Sequence, residues 1–153
     1  MGGLYVRKNM SATFVNVDLE ILSAQPLDYL CTEFQDNGVR KMFCGETSHG
    51  RYMASFECNE HLADPDSLIE MFLGSVYFLD ERAKSLWDSA DSKVFDIGYE
   101  ADSNQGNYQS QFKPDTILGI AKAGATISVT IYPKVDDDYK CEQGGAHQST
   151  TAS

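Results

Sequence analysis

Cys44, His49, Cys58 and His61 are the residues whose types most readily suggest a reactive centre. Their spacing, Cys-x4-His-x8-Cys-x2-His, offers the sulfur and imidazole donors that tetrahedral zinc takes at roughly 2.0–2.3 Å. The flanking pattern argues against a site. Residues 39–44 and 51–58 read as two strands of a hairpin, joined by the glycine-bounded polar loop 45–50. If the turn centres on Thr47 and Ser48, Cys44 pairs near Arg51. Cys58 then lies about seven residues further along, or over roughly 20 Å at about 3.3 Å per residue. The expectation is two half-buried thiols and two surface histidines, with no metal and no other cofactor.

Two further patterns carry no chemistry. Gly45-x4-Gly50-Arg51 mimics part of a phosphate loop, but it lacks the Lys-Ser/Thr pair and leads into a strand, whereas phosphate needs a helix N-terminus. Ser48 and His49 are sequence neighbours on a polar turn. A nucleophile and its base need a third group that orients the base, and no nucleophile-elbow motif is present.

The carboxylates are more informative. The chain of 153 residues has 12 Lys and Arg against 23 Asp and Glu, a formal charge of −11. The terminal segments nearly balance each other, so the acidity belongs to the stretch between them. Phosphate backbones and anionic membranes should repel such a domain, whereas a basic protein or a cation would suit it. Period-two patterns place many of these carboxylates on one side of a sheet. Asn16, Asp18 and Glu20 alternate with Val15, Val17, Leu19 and Ile21. Met53, Ser55 and Glu57 alternate with Tyr52, Ala54, Phe56 and Cys58. Asp96, Gly98 and Glu100 alternate with Phe95, Ile97 and Tyr99. Thr126, Ser128, Thr130 and Tyr132 alternate with Ile127, Val129 and Ile131. The candidate partner-binding residues are therefore Asp18, Glu20, Glu57, Asp96, Glu100 and Tyr132. Carboxylates this close repel one another, and at least one pKa should rise.

The elements that position this face follow from helical spacing between the strands. Leu27, Leu30, Cys31 and Phe34 predict a helix that Gly38 stops. Asp64-Pro65 opens a second, with Leu68, Phe72, Val76 and Leu79 as its stripe, widened by Ile69 and Leu73. Asp80 caps a third, with Ala83, Leu86, Trp87 and Ala90. Pro114 opens a fourth, with Ile117, Leu118, Ile120 and Ala121 inward and Gly124 as its stop. Residues 100–111 read as a loop, with a short strand possible over 108–112. The order is β-α-β-β-α-α-β-α-β. Because the strands alternate instead of running continuously apolar, the fold class is α+β: a two-layer sandwich, a mostly antiparallel mixed sheet with helices on one face. A ferredoxin-like split β-α-β core extended by one α-β unit fits. Residues 1–11 read as a flexible arm, 12–133 as a single domain and 134–153 as a disordered tail.

Three stretches taken together resemble a family of small bacterial α+β domains of unknown function, some of them immunity-type proteins. They are Thr13 through Ile21, Leu86 through Glu100, and Pro114 through Pro133 with its closing helix, glycine, strand and Tyr-Pro. The resemblance spans about residues 12–133 and implies a bacterial source. With no catalytic signature, the expected function is a non-enzymatic binding module of immunity or inhibitor type. It would dock a basic protein partner on the acidic sheet face, with a homodimer possible through an exposed edge strand. The alternative is a small enzyme or a ligand- or cation-binding domain that uses the same carboxylates with the 100–111 loop as a lid. No nucleic acid or membrane partner is expected. With no secretion signal, no membrane span and no cysteine framework, the expected location is cytoplasmic.

Overall fold

Alternation along the first strand from Asn16 onward, with Val17, Leu19 and Ile21 buried, sets the two sides of the whole sheet. The computed structural model describes residues 11–58, 64–102 and 108–134. The strands are β1 (Ser11–Ser23), β2 (Val39–Glu46), β3 (Tyr52–Cys58), β4 (Ser92–Asp102) and β5 (Thr126–Tyr132). They lie in the order β2-β3-β1-β4-β5. β1 is antiparallel to both β3 and β4, β2 is antiparallel to β3, and β4 is parallel to β5. Since β3 lies between β1 and β2, the first α-β connection is a split β-α-β unit. The four strands β1 to β4 thus form the expected ferredoxin-like arrangement, and β5 extends it at one edge.

The helices are α1 (Asp28–Asp36), α2 (Pro65–Tyr77), α3 (Glu81–Ser89) and α4 (Pro114–Lys122). Their starts obey the capping rules read from sequence. The Asp64 carboxylate accepts from the Ser67 N–H at 2.9 Å, and Asp80 accepts from the Ala83 N–H at 2.7 Å. Gly38 and Gly124 take positive φ of 83° and 66° where α1 and α4 stop, a conformation that a Cβ would strain.

One side of the sheet meets the helices and holds the core. Val17, Leu19 and Ile21 of β1, Ala54 and Phe56 of β3, and Phe95 and Ile97 of β4 are buried there against Leu30, Phe34, Ile69, Phe72 and Trp87. Phe34 packs on Phe56 and on Trp87 with ring centres 4.9 and 5.9 Å apart. The Trp87 indole N–H donates to the Ala123 carbonyl at 3.0 Å, which ties α3 to the end of α4. Each of the Val, Leu, Ile and Phe side chains among them contributes on the order of 1.5–3 kcal/mol of burial. Among the described residues, no helix is long and apolar enough to cross a membrane.

Several expectations are corrected. Val15 is exposed, because a bulge between Phe14 and Asn16 shifts the register and Phe14 turns inward in its place, against Tyr99. The hairpin turn centres near His49, with Glu46 opposite Tyr52, so Cys44 pairs with Ala54 instead of a residue near Arg51; a second bulge, between Lys41 and Phe43, shifts the register beyond that point. β4 runs on to Asp102, so Glu100 is a strand residue, and residues 108–112 form no strand. On α4 only Thr116 and Ile120 are buried, whereas Ile117, Leu118 and Ala121 are exposed. Of the proposed arm over 1–11, Ser11 opens β1 and residues 1–10 lie outside the described residues; of the proposed tail over 134–153, residues 135–153 lie outside them, as does His61.

Candidate functional site

Strand register assembles a line of side chains that spacing along the chain does not show. Arg40 of β2 pairs with Glu57 of β3, Glu57 with Asp18 of β1, Asp18 with Asp96 of β4, and Asp96 with Ser128 of β5. Paired residues point to the same side of a sheet. These five therefore form one row across all the strands, on the side away from the helices. Neighbouring strands are about 4.8 Å apart, so three carboxylates follow one another at that spacing.

The row's electrostatics centre on Asp18. Its carboxyl is pushed up to about 6, first by partial burial, then by repulsion from Glu57, Asp96 and Glu20, with Arg40 opposing weakly. The flanking carboxylates have partners of their own. Arg40 forms an ion pair with Glu57. The Thr130 hydroxyl, one residue pair beyond the row, lies 2.8 and 3.0 Å from the two oxygens of Asp96. Asp18 accepts a neutral hydrogen bond from the Asn16 amide at 3.1 Å.

The row is flanked by groups suited to contact. On one side lies Glu20, between Ser55 and Val94, and Ser55 pairs with Phe43. Phe43 is 45% exposed, and sequence reasoning missed it on this face because the β2 bulge reverses its direction. On the other side, Gly98 sits between Asn16 and Thr130. A Cβ on Gly98 would lie 3.1 Å from Asn16 Oδ1 and 3.4 Å from the Tyr132 ring, so the glycine makes room for Tyr132 to lie against the sheet. Tyr132 pairs with Glu100 and is 49% exposed. All six sequence-predicted residues thus share the open side: Asp18, Glu57 and Asp96 in the row, Glu20 beside it, and Glu100 and Tyr132 toward one end.

The acidity is not confined to this side. The helices and their caps also carry Asp28, Glu33, Asp36, Asp64, Asp66, Glu70, Asp80, Glu81, Asp88 and Asp115. Many of these have local duties. Asp64 and Asp80 are caps, Asp88 pairs with Lys84 along α3, and Glu70 pairs with Lys113. Asp66 is the one that sequence reasoning overlooked. Its carboxylate is buried between α2 and the start of α4 and accepts from the Lys113 N–H at 3.0 Å. Burial pushes its carboxyl up, but hydrogen bonds from Thr116 and Lys113 outweigh that and hold it below the usual range.

The remaining candidates separate. Cys44 and Cys58 lie beside Ala54 and Val39 on the helix side, about 13 Å apart along the strands, closer than expected but too far for one ion. Among the described residues, no three His, Cys, Asp or Glu side chains gather to hold a metal. Cys31 and Cys44 are free thiols, and the Cys58 thiol lies 4.0 Å from the Leu68 carbonyl oxygen. Burial, then the adjacent Cys44 thiol, pushes Cys31 up and keeps it protonated. Ser48 Oγ and His49 Nδ1 are 3.1 Å apart in an exposed turn. At the far end of the 100–111 segment, Tyr108 packs on Tyr99, whose ring faces the helix side, and Ser110 Oγ lies 2.8 Å from the Tyr99 hydroxyl. Residues 103–107 lie outside the described residues.

No family model, curated protein or solved structure matches the chain.

Proposed function

We propose that this chain is a non-enzymatic binding module, of immunity or inhibitor type, that docks a basic protein segment on the open side of its sheet. One observation carries the reading: the register row Glu57–Asp18–Asp96, whose central carboxyl is lifted to about 6, first by partial burial and then by repulsion from its neighbours. A lysine or arginine set over Asp18 would supply the charge that the row lacks, and binding would relieve the repulsion. Exposed Phe43 and Tyr132 on either side supply the aromatic contacts that concentrate at protein interfaces. A merely solvated face has no need to align three carboxylates.

The test is titration calorimetry with a short Lys/Arg-rich peptide against the full chain. Wild type should bind, with affinity falling about tenfold or more as salt is raised. The Asp18→Asn/Asp96→Asn double variant should lose binding, while Glu33→Gln/Asp36→Asn on α1 should not. Equal loss from both double variants would reduce the interaction to diffuse charge and remove the face from consideration.

The perturbed Asp18 also favours a second reading, an enzyme or ligand- or cation-binding domain in which Asp18 exchanges a proton. A bound small molecule whose contacts include Asp18, Glu57 and Asp96 would select it over protein docking.

A further inference from the structure

The two edges of the sheet are built differently. β2 carries Arg40 and Lys41 and is broken by the bulge at Met42, the devices by which edge strands discourage pairing. β5 has none of them. Its seven residues, Thr-Ile-Ser-Val-Thr-Ile-Tyr, include no charge and no proline, and its register with β4 runs unbroken from Thr126 to Tyr132. Among the described residues, no strand lies beyond it. Ile127, Val129 and Ile131 pair with Phe95, Ile97 and Tyr99 and so face the helix side, yet they are 43%, 57% and 62% exposed. The helix layer stops short of β5. α4 packs instead toward α2, with Gly119 against Leu73, and leaves its own Ile117 and Leu118 exposed at 55% and 50%.

We propose that β5 pairs antiparallel with β5 of a second copy, about a two-fold axis at Val129, to form a continuous ten-stranded sheet. The sequence of β5 is self-complementary in that register. Val129 meets Val129 of the partner copy, Ile127 meets Ile131, Ser128 meets Thr130, and Thr126 meets Tyr132. Aliphatic faces aliphatic on the helix side, and hydroxyl faces hydroxyl on the other. The axis is perpendicular to the sheet, so both helix layers lie on the same side, and the exposed faces of the two α4 helices flank the joined aliphatic stripe. Five half-exposed aliphatic side chains and one strand edge per copy bury on the order of 1,000 Å² in total, enough for a specific if modest dimer.

Charge selects the same edge. Two copies of a chain with net charge −11 repel, and β5 is an uncharged strip of contact. The two Asp96 carboxylates would sit three strand spacings apart, about 14 Å, beyond the screening length of about 8 Å at physiological salt. Dimerisation should therefore hold or strengthen as salt rises, whereas capture of a basic partner weakens.

Sedimentation equilibrium of the full chain tests this at up to about 200 µM, in low and high salt. The expected mass at high concentration is twice the chain's 17.0 kDa. Val129→Lys sets two ammonium groups face to face at the axis and should weaken the dimer by at least about tenfold while leaving the circular dichroism melt of the dilute monomer unchanged, since Val129 is exposed in the single chain. Ile127→Lys alone should also weaken it. Ile127→Lys with Ile131→Glu should restore it, because those positions face each other across the axis. A chain monomeric at every concentration and salt would overturn the proposal. So would a dimer indifferent to Val129→Lys, or one that the double variant fails to restore.

Discussion

Asp66 and Asp18 carry the same side chain and respond to the fold in opposite ways. Asp66 is 4% exposed and its carboxyl is held below the usual range, whereas Asp18 is only half-buried and its carboxyl rises to about 6. Burial raises both. The difference lies in what surrounds each: the Lys113 N–H, the Lys113 ammonium and Thr116 around Asp66, and three carboxylates with a weak Arg40 around Asp18. Partners, not depth, decide whether a carboxylate supports the fold. Asp66 fastens α4 to α2, whereas Asp18 is a position where the fold tolerates a cost.

Removing Asp66 should therefore have the largest effect. Asp66→Ala leaves the Lys113 N–H without its acceptor and deletes an ion pair from a buried site. It should destabilise the protein by about 2–3 kcal/mol at neutral pH. Because the folded pKa is depressed, this contribution is present above the ordinary 3.8 and lost as pH falls through the lowered value. Urea melts of wild type and variant should converge in acid. A loss that is the same at pH 7 and pH 3 would show that shape, not charge, does the fastening.

Asp18→Asn should act with the opposite sign. The raised pKa means that protonation favours the folded state, so stability is greatest below 3.8 and falls as pH rises through about 6. Replacing the carboxylate with an amide should stabilise the protein by about 1 kcal/mol at pH 7.5, a figure discounted because the group is half in water. The gain should disappear near pH 4. Destabilisation at pH 7.5 would mean that Asp18 has a structural partner after all, and the comparison with Asp66 would collapse.

Much of this frame was legible in the sequence because local rules govern it. Asp64 and Asp80 cap helices as their types demand, and Leu19, Phe56 and Trp87 fall on the buried sides that periodicity assigns. What remained hidden depends on register. A bulge costs one residue and leaves no composition signal, yet bulges turn Phe43 outward and Phe14 inward. Asp66 reads as an ordinary first-turn acid until α4 arrives beside it, 47 residues on. The apolar stripe on β5 predicts a buried strand, and it is exposed because burial needs a helix overhead as well as alternation. The six acidic-face positions were legible from alternation, but the alignment of Glu57, Asp18 and Asp96 in one row follows from strand order, which alternation does not encode.

Arg40 offers the finest adjustment. It is the last and weakest influence on Asp18 and the one that lowers its pKa, acting across Glu57, with which it is paired. Arg40→Gln removes that attraction and leaves Glu57 without its cation, so both changes push Asp18 the same way. Its carboxyl resonance, followed by NMR titration, should move upward by roughly a few tenths of a pH unit. Stability should change by less than about 0.5 kcal/mol, because the pair is solvent-exposed. A downward move would mean that Arg40 does not act on Asp18 through its charge, and the row would have to be understood as Asp18 between Glu57 and Asp96 alone. An upward move ten times larger would make Arg40 the main restraint on the row, and the cation that a partner supplies would then be its substitute.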